Sequence, residues 1–117
     1  MPEWKFGISG KAPKDYWATM GYVSVDTLFA LFDEEALVNI NPTTGEGKNP
    51  ASKADIASYM KLYEQGKDTP GGGVPPVIVF CPKDKKCFIS DGRHRVAAAR
   101  KIGLKSILTT VIEFHPT

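Results

Sequence analysis

The 117-residue sequence lacks the features of membrane, zinc-stapled and disulfide-rich proteins. No apolar run approaches the roughly 18 residues that a membrane-spanning helix requires, and the first residues contain no apolar block typical of a signal peptide. Only two cysteines are present, without the further Cys or His pair that a tetrahedral zinc site needs. We therefore expect a cytoplasmic protein with no membrane partner and no structural zinc.

The two cysteines, Cys81 and Cys87, flank residues 82–86, a short segment rich in lysine. If that segment is a hairpin turn, the two sulfur atoms could face each other across adjacent strands. Because disulfides are rare in cytosolic proteins, the sequence favours two reduced, packed thiols.

The composition is that of an ordinary folded domain, with 42% hydrophobic and 24% charged residues. A chain of this length buries about two-thirds of the surface that its unfolded form exposes, which suffices for one stable core. We expect an irregular arm over residues 1–20, which could dock through Trp4 and Trp17, and a single domain over residues 21–117. Residues 71–73 are consecutive glycines, but no Gly-Lys-Ser/Thr follows them, so they do not form a Walker A loop.

The charge is unevenly distributed along the chain, although its net value is only +2. Between residues 83 and 105 there are eight basic residues and only two acidic ones, whereas acids outnumber bases elsewhere. A basic segment on an otherwise acidic chain indicates an anionic partner, either a nucleotide phosphate or a nucleic-acid backbone. A solvated hairpin followed by an ordinary helix end would account for the same charges.

Local patterns predict alternating strands and helices. In the first half we expect a strand over residues 21–25, a helix to about residue 36 capped by Asp26, a brief extended stretch over 37–40 and a polar loop over 41–50. Ser52 is predicted to cap the next helix, which ends at Gly66. The spacing of its apolar residues predicts one core-facing stripe, made of Ile56, Tyr59, Met60 and Tyr63.

The second half is predicted to contain a hairpin, a helix and a last strand. Residues 77–81 and 87–90 have strand composition and flank the lysine-rich turn. Asp91 is predicted to cap a helix that runs to Ile102 and stops at Gly103. Three consecutive alanines, residues 97–99, allow that helix to lie close to a sheet, and residues 107–112 supply the last strand.

The segment that carries chemistry is Asp91-Gly92-Arg93-His94-Arg95, at the start of this helix. A helix start presents unpaired backbone N–H groups and a partial positive charge, which suit a phosphate group. Gly92 permits close approach of a ligand to the backbone, and Arg93 and Arg95 can add forked hydrogen bonds. His94 can bind a phosphate oxygen or move a proton. Because basic side chains oppose the helix dipole at this end, their concentration there favours a ligand over simple solvation.

These residues resemble the ParB/sulfiredoxin-like family. The resemblance covers roughly residues 21–113. It is carried by residues 75–80 (Pro-Pro-Val-Ile-Val-Phe), residues 88–99 (Phe-Ile-Ser-Asp-Gly-Arg-His-Arg-Val-Ala-Ala-Ala) and residues 103–107 (Gly-Leu-Lys-Ser-Ile). Its specific part is the Asp-Gly-Arg-His-Arg segment over residues 91–95 with the alanine-rich helix behind it. It implies a small α/β (α+β) fold with a mixed sheet and packed helices. It also implies that Gly92, Arg93, His94 and Arg95 bind nucleotide phosphates.

Departures from the family's motifs narrow the function that the resemblance implies. Sulfiredoxins carry a nucleophilic Cys where this chain has Arg93, so sulfinic-acid reduction is disfavoured. Partition proteins carry Glu at that position and a helix-turn-helix domain downstream, so sequence-specific centromere binding is disfavoured too. Free serine kinases have a closely similar segment but a larger chain. The fold alone does not decide among these activities.

Two main hypotheses follow. The first is an enzyme, an ATP-, ADP- or CTP-dependent phosphotransferase, an NTPase or a nuclease, in which Asp91 and His94 are the candidate catalytic residues and Mg²⁺ a possible cofactor. Asp91 would be a base or metal ligand, or merely the helix cap. The second is a non-catalytic regulatory module that binds a DNA backbone through the hairpin-turn lysines Lys83, Lys85 and Lys86. A third reading makes the motif a relic on a protein-interaction domain. Four other carboxylates could reach the site, namely Asp26, Glu34, Glu35 and Glu46.

Overall fold

The computed structural model describes residues 15–114, which form a small mixed α+β domain. Within that range the strands are β1 (Tyr16–Ser24), β2 (Val77–Cys81), β3 (Phe88–Asp91) and β4 (Ser106–Phe114). The helices are α1 (Val25–Phe29), α2 (Glu34–Asn39), α3 (Pro50–Glu64) and α4 (Arg93–Lys101). The predicted mixture of helices and one small sheet is confirmed. No helix in this range is long and apolar enough to cross a membrane.

The four strands form one sheet in the order β1-β4-β2-β3. β4 lies inside the sheet, where it pairs antiparallel with β1 and parallel with β2. β2 and β3 form the predicted antiparallel hairpin. A parallel pair needs a crossover connection, and here the crossover from β2 to β4 runs through β3 and α4. This topology places the start of α4 directly after β3 and next to the first residue of β2.

The core lies between the sheet and the helices. The alanines at positions 97–99 are completely buried, so α4 packs closely against the sheet as its composition predicts. Ile56 and Tyr63 of α3 are buried, and Tyr59 and Met60 pack against the same core. The predicted apolar stripe on α3 is therefore confirmed. Burying each large apolar side chain of this kind stabilises the fold by about 1.5–3 kcal/mol.

The prediction of an irregular arm over residues 1–20 is wrong for residues 16–20, because these belong to β1. β1 is an edge strand with mostly exposed side chains, Trp17 being 60% and Tyr22 55% exposed. A strand that buries neither face fully has no apolar alternation, so periodicity does not detect it. Trp4, the other proposed docking residue, lies outside the described residues.

The single helix predicted up to residue 36 is two helices. Ser24, not Asp26, caps α1, because its Oγ accepts a hydrogen bond from the Thr27 N–H at 3.4 Å. Asp33 caps α2, with its Oδ1 2.9 Å from the Ala36 nitrogen. The extended stretch predicted for residues 37–40 is wrong for residues 37–39, which complete α2. A capping Asp followed by two glutamates is itself a strong helix-start signal.

The start of α3 also differs from the prediction. Asn49 caps the helix by accepting the Ser52 N–H at 2.9 Å, and Pro50 occupies the first helical position. A proline is well suited to that position because its missing N–H would have no intrahelical partner there. Ser52 therefore lies inside the first turn rather than at the cap. At the other end, Gly66 has a φ of +71° just past Gln65, which confirms the predicted stop.

Cys81 and Cys87 form a disulfide, so the prediction of two reduced thiols is wrong. The register of the hairpin explains the pairing: Phe80 lies opposite Phe88, and the next pair outward is Cys81 with Cys87. Their Cα atoms are 4.0 Å apart. The prediction rested on the reducing character of the cytosol, whereas the hairpin register places the two sulfurs side by side at the end of the ladder.

Reduction of this disulfide is expected to lower the free energy of unfolding by about 2 kcal/mol, because a short closed loop restrains the unfolded chain. The cysteines are six residues apart. Urea unfolding with and without dithiothreitol measures the difference. The double variant Cys81→Ser/Cys87→Ser is the control and should not respond to dithiothreitol. An equal response of the variant, or none in the wild type, would contradict the expected contribution.

Candidate functional site

The turn between β3 and α4 is built around Gly92, which is the N-cap of α4. Its φ of +109° and ψ of 19° lie in the left-handed region. A Cβ at this position would lie 3.1 Å from the Val77 Cα, so both the conformation and the space require glycine. No side chain caps this helix. The prediction that Asp91 is the cap is therefore wrong.

Within residues 15–114, no side-chain cap occupies the backbone donors in the first turn of α4. The N–H groups of Arg93, His94 and Arg95 point away from any intrahelical acceptor, as in the first turn of every α-helix. They carry the positive end of the helix dipole. A ligand that places an oxygen at this turn can accept from several of them at once.

An open cleft of about 150 Å³ lies beside this turn. It brings together all five residues of the predicted motif with side chains from α2 and α3. Its lining consists of Glu35, Ala36, Asn39, Ile40, Tyr59, Asp91, Gly92, Arg93, His94 and Arg95. The local sequence predicts that the motif lies on one turn. The fold adds the opposite wall of the cleft, which α2 and α3 supply.

Arg95 is 5% exposed, and its guanidinium is largely occupied by the protein itself. Nη1 donates to the carbonyl oxygens of Pro75 and Pro76 at 3.0 and 2.6 Å. Nη2 pairs with the Asp91 carboxylate at 3.0 Å. Within the described residues the buried Nε has no hydrogen-bond partner. Arg95 therefore fastens the chain before β2 to the start of α4.

Arg93 is more exposed and more loosely held. Its side chain is 32% exposed, and its Nη2 lies 3.5 Å from the Asp33 Oδ2, the carboxylate that also caps α2. An exposed pair at this distance contributes at most about 1 kcal/mol. Arg93 can thus exchange its carboxylate partner for a ligand at small cost.

The ring of His94 is directed towards α3. Its Nε2 lies 3.0 Å from the Ser52 Oγ, and its Nδ1 lies 3.9 Å from the Asp55 Oδ2. Both ring nitrogens therefore face side chains of the protein. A direct bond from His94 to a phosphate oxygen, as the sequence analysis expected, would require the ring to leave these partners.

The cleft contains acidic as well as basic side chains. Glu35 and Asp91 line it, and from outside the cleft Asp33 lies beside Arg93 and Asp55 beside His94. No cluster of three or more His, Cys, Asp or Glu side chains able to hold a metal occurs within residues 15–114. Glu35 and Asp91 are the two carboxylate residues that line the cleft itself.

The basic segment of the sequence does not form one basic surface. Arg100 and Lys101 lie near the other end of α4, where they pair at 2.7 Å with Asp26 and Glu46 respectively. The hydrogen bond and charge of Lys101 hold the pKa of Glu46 below its ordinary value. Of the carboxylates predicted from the sequence as able to reach the site, Glu35 lines the cleft. Asp26 and Glu46 instead form ion pairs at the C-terminal end of α4.

The hairpin-turn lysines, Lys83, Lys85 and Lys86, are exposed but lie at the opposite end of β2 from Gly92. The strand between them puts the two features on the order of 10 Å or more apart. The Lys83 ammonium lies 5.4 Å from the centre of the Phe114 ring. The turn between β3 and α4 and the basic hairpin are therefore separate surfaces.

Sequence reasoning missed the acidic and polar partners of the motif. Asp33 and Asn49 precede helices in a pattern typical of N-caps, which could have identified them from the sequence. The Asp33 side chain contacts Arg93, and that of Asn49 contacts Asn39; both of these partners line the cleft. The sequence pattern predicts only that Ser52 caps α3 with Asp55 at the third helical position, and it does not indicate that both side chains meet His94. Comparison with protein-family models, curated proteins and solved structures finds no match to this chain.

Proposed function

We propose that the cleft at the start of α4 binds the phosphate end of a nucleotide. The observation that carries this proposal is the helix start without a side-chain cap at Gly92, which opens onto a cleft lined by Arg93, His94 and Arg95. Backbone N–H groups at a helix start, a left-handed glycine and flanking arginines together suit a phosphate.

The size of the cleft indicates which part of a ligand it holds. A volume of about 150 Å³ is smaller than the roughly 300–1,000 Å³ of pockets that enclose whole ligands. It is large enough for a phosphate group. We therefore expect the phosphate to occupy the cleft while the sugar and base lie outside, against the surface of α2 and α3.

The two arginines take different parts in this proposal. Arg93 is held only by a long contact to Asp33, so it can turn to a phosphate oxygen. Arg95 keeps both Nη groups on the protein and its Nε is buried, so it braces the turn and adds positive charge to the cleft that it lines. The candidate ligands stay ATP, ADP and CTP, with or without Mg²⁺, and the candidate activities stay phosphotransfer, NTP hydrolysis and phosphodiester hydrolysis.

The exposed lysines of the hairpin turn favour a second candidate, contact with a DNA backbone. Because this surface is separate from the cleft, the two candidates can be tested independently. Binding through Lys83, Lys85 and Lys86 would weaken steeply with added salt, since each neutralised phosphate releases counterions.

Calorimetric titration with ATP, ADP, CTP and a short DNA duplex, with and without Mg²⁺, tests both candidates. We expect saturable binding of at least one nucleotide. We expect Arg93→Ala to weaken it about tenfold or more, as the loss of one charge-assisted hydrogen bond predicts. Lys85→Ala removes the same charge at the hairpin turn and is the matched control.

Equal weakening by Arg93→Ala and Lys85→Ala would contradict a specific phosphate site. Binding of the duplex alone, abolished by replacing the three hairpin-turn lysines and by added salt, would favour the second candidate. Binding of neither ligand would remove the proposed function.

The cytoplasmic location stays a prediction. The disulfide between Cys81 and Cys87 argues against it, because such bonds persist mainly in oxidising compartments.

A further inference from the structure

Three polar side chains of α3 and α4 form a connected series next to the turn at Gly92. His94 lies between Ser52 and Asp55, with its Nε2 3.0 Å from the serine Oγ and its Nδ1 3.9 Å from the aspartate Oδ2. Ser52 and Asp55 are three residues apart on α3, so they share one face of the helix and meet the same ring. The order is hydroxyl, imidazole and carboxylate.

The hydroxyl of Ser52 is not needed to start the helix. Asn49 caps α3 and accepts the Ser52 N–H, which leaves the serine Oγ to the His94 ring. Ser52 is only 4% exposed, so little bulk water competes for this hydrogen bond. A hydroxyl that is held against an imidazole nitrogen at 2.6–3.2 Å has the geometry of an activated nucleophile.

The two ring nitrogens of His94 have different partners, which assigns their roles. A carboxylate near Nδ1 favours the tautomer that carries its proton there, and the other nitrogen can then accept the serine proton. The 3.9 Å separation from Asp55 is longer than a hydrogen bond, as is common in such series before a substrate binds. Asp55 acts only through His94, so it is a positioning residue.

We propose that Ser52 is a nucleophile that accepts a phosphoryl group, with His94 as its general base. The choice of a phosphoryl substrate rests on the proposed function, because His94 belongs to the first turn of α4, where the phosphate is expected to bind. The substrate class is a phosphomonoester small enough to enter the cleft that His94 lines.

The proposed reaction has two steps. In the first, the Ser52 hydroxyl proton moves to His94 Nε2, Oγ forms a bond to phosphorus, and the phosphorus–oxygen bond to the leaving alcohol breaks. The alcohol oxygen takes the proton from the imidazolium. In the second, water gives a proton to Nε2 and attacks phosphorus, and the Oγ–phosphorus bond breaks as Ser52 regains its proton. One phosphomonoester and one water thus become an alcohol and inorganic phosphate.

Labelling with diethyl fluorophosphate tests the nucleophile directly. Its phosphorus forms a bond to Oγ as the phosphorus–fluorine bond breaks, fluoride leaves, and His94 takes the serine proton. We expect mass spectrometry of the digested protein to find the label on Ser52. Ser58, an exposed serine on the same helix that has no imidazole partner among residues 15–114, is the internal comparison.

Variants separate a chemical role from a structural one. His94→Gln keeps a hydrogen-bonding side chain but supplies no comparable base. We therefore expect its labelling to be at least about 100-fold slower than that of the wild type. Asp55→Asn should also slow labelling, and Asp55→Glu should restore most of it. Ser58→Ala should label as the wild type does. Thermal unfolding of each variant verifies that it is folded.

The outcomes distinguish this proposal from the proposed function. No label on Ser52, or equal labelling of Ser52 and Ser58, would overturn the nucleophile even where calorimetry detects nucleotide binding. An unchanged rate in folded His94→Gln would overturn the role of His94. Selective labelling without any nucleotide or phosphate binding would instead overturn the phosphoryl substrate class, together with the proposed function.

Discussion

Replacement of Arg95 by alanine is expected to lower the free energy of unfolding by about 2–3 kcal/mol, because the buried guanidinium makes three hydrogen bonds that contribute roughly 1 kcal/mol each. The guanidinium joins the carbonyl groups of Pro75 and Pro76 to the Asp91 carboxylate. Without it, these acceptors lose their donor while the chain before β2 loses its attachment to α4. Urea unfolding followed by circular dichroism measures the change.

Arg93→Ala is the matched control. It removes the same type of side chain only two residues from Arg95, but that side chain belongs to an exposed ion pair with Asp33. Its expected effect is at most about 1 kcal/mol. Arg95→Lys should lie between the two, because an ammonium keeps the charge but not the planar fork that reaches several acceptors. Similar losses for Arg95→Ala and Arg93→Ala would show that Arg95 does not hold the site together.

The second large effect is expected for Gly92→Ala. The left-handed conformation costs an alanine about 1–2 kcal/mol, and crowding against a packed neighbour adds roughly 1–3 kcal/mol. The neighbour is Val77, whose Cα and Cγ2 would lie 3.1 and 3.2 Å from the new Cβ. Any shift that relieves the contact also moves the first turn of α4, so nucleotide binding should fall at the same time. Unfolding and calorimetry together test this.

Gly103→Ala is the control for conformation alone. Gly103 also has a positive φ, +80°, and follows the other end of the same helix, but no atom of the described residues lies within 4 Å of its added Cβ. We expect it to lose only the conformational part, about 1–2 kcal/mol, and to bind nucleotide as the wild type does. If the two variants lose equal stability and both retain binding, the close approach at Gly92 has no functional importance.

These predictions assign separate tasks to neighbouring residues of one short motif. Gly92 forms the turn, Arg95 braces it from inside, and Arg93 remains available to a ligand. His94 is connected to α3 through Ser52 and Asp55. The sequence analysis assigned phosphate binding to all four alike, because a linear motif does not reveal which side chains the protein itself has engaged.

The strands and helices of the second half were predictable because their signals are local. A short apolar run predicts β2, and the alanines after the motif predict the buried face of α4. Gly66 and Gly103 indicate where α3 and α4 end, since a left-handed residue past a helix is nearly always glycine. The edge strand β1 was predicted only in part, because its exposed side chains carry no periodic signal.

By itself, the sequence determined that this chain forms one mixed domain and that a glycine turn with three basic residues begins a helix. Only the tertiary structure decided what surrounds that turn. It brought Asp33, Ser52, Asp55 and Glu35 to the basic residues and separated the hairpin-turn lysines from them. It also joined Cys81 to Cys87. The reason is that backbone propensity and capping act over a few neighbouring residues. Ion pairs and cleft walls instead depend on how distant segments pack around the common core.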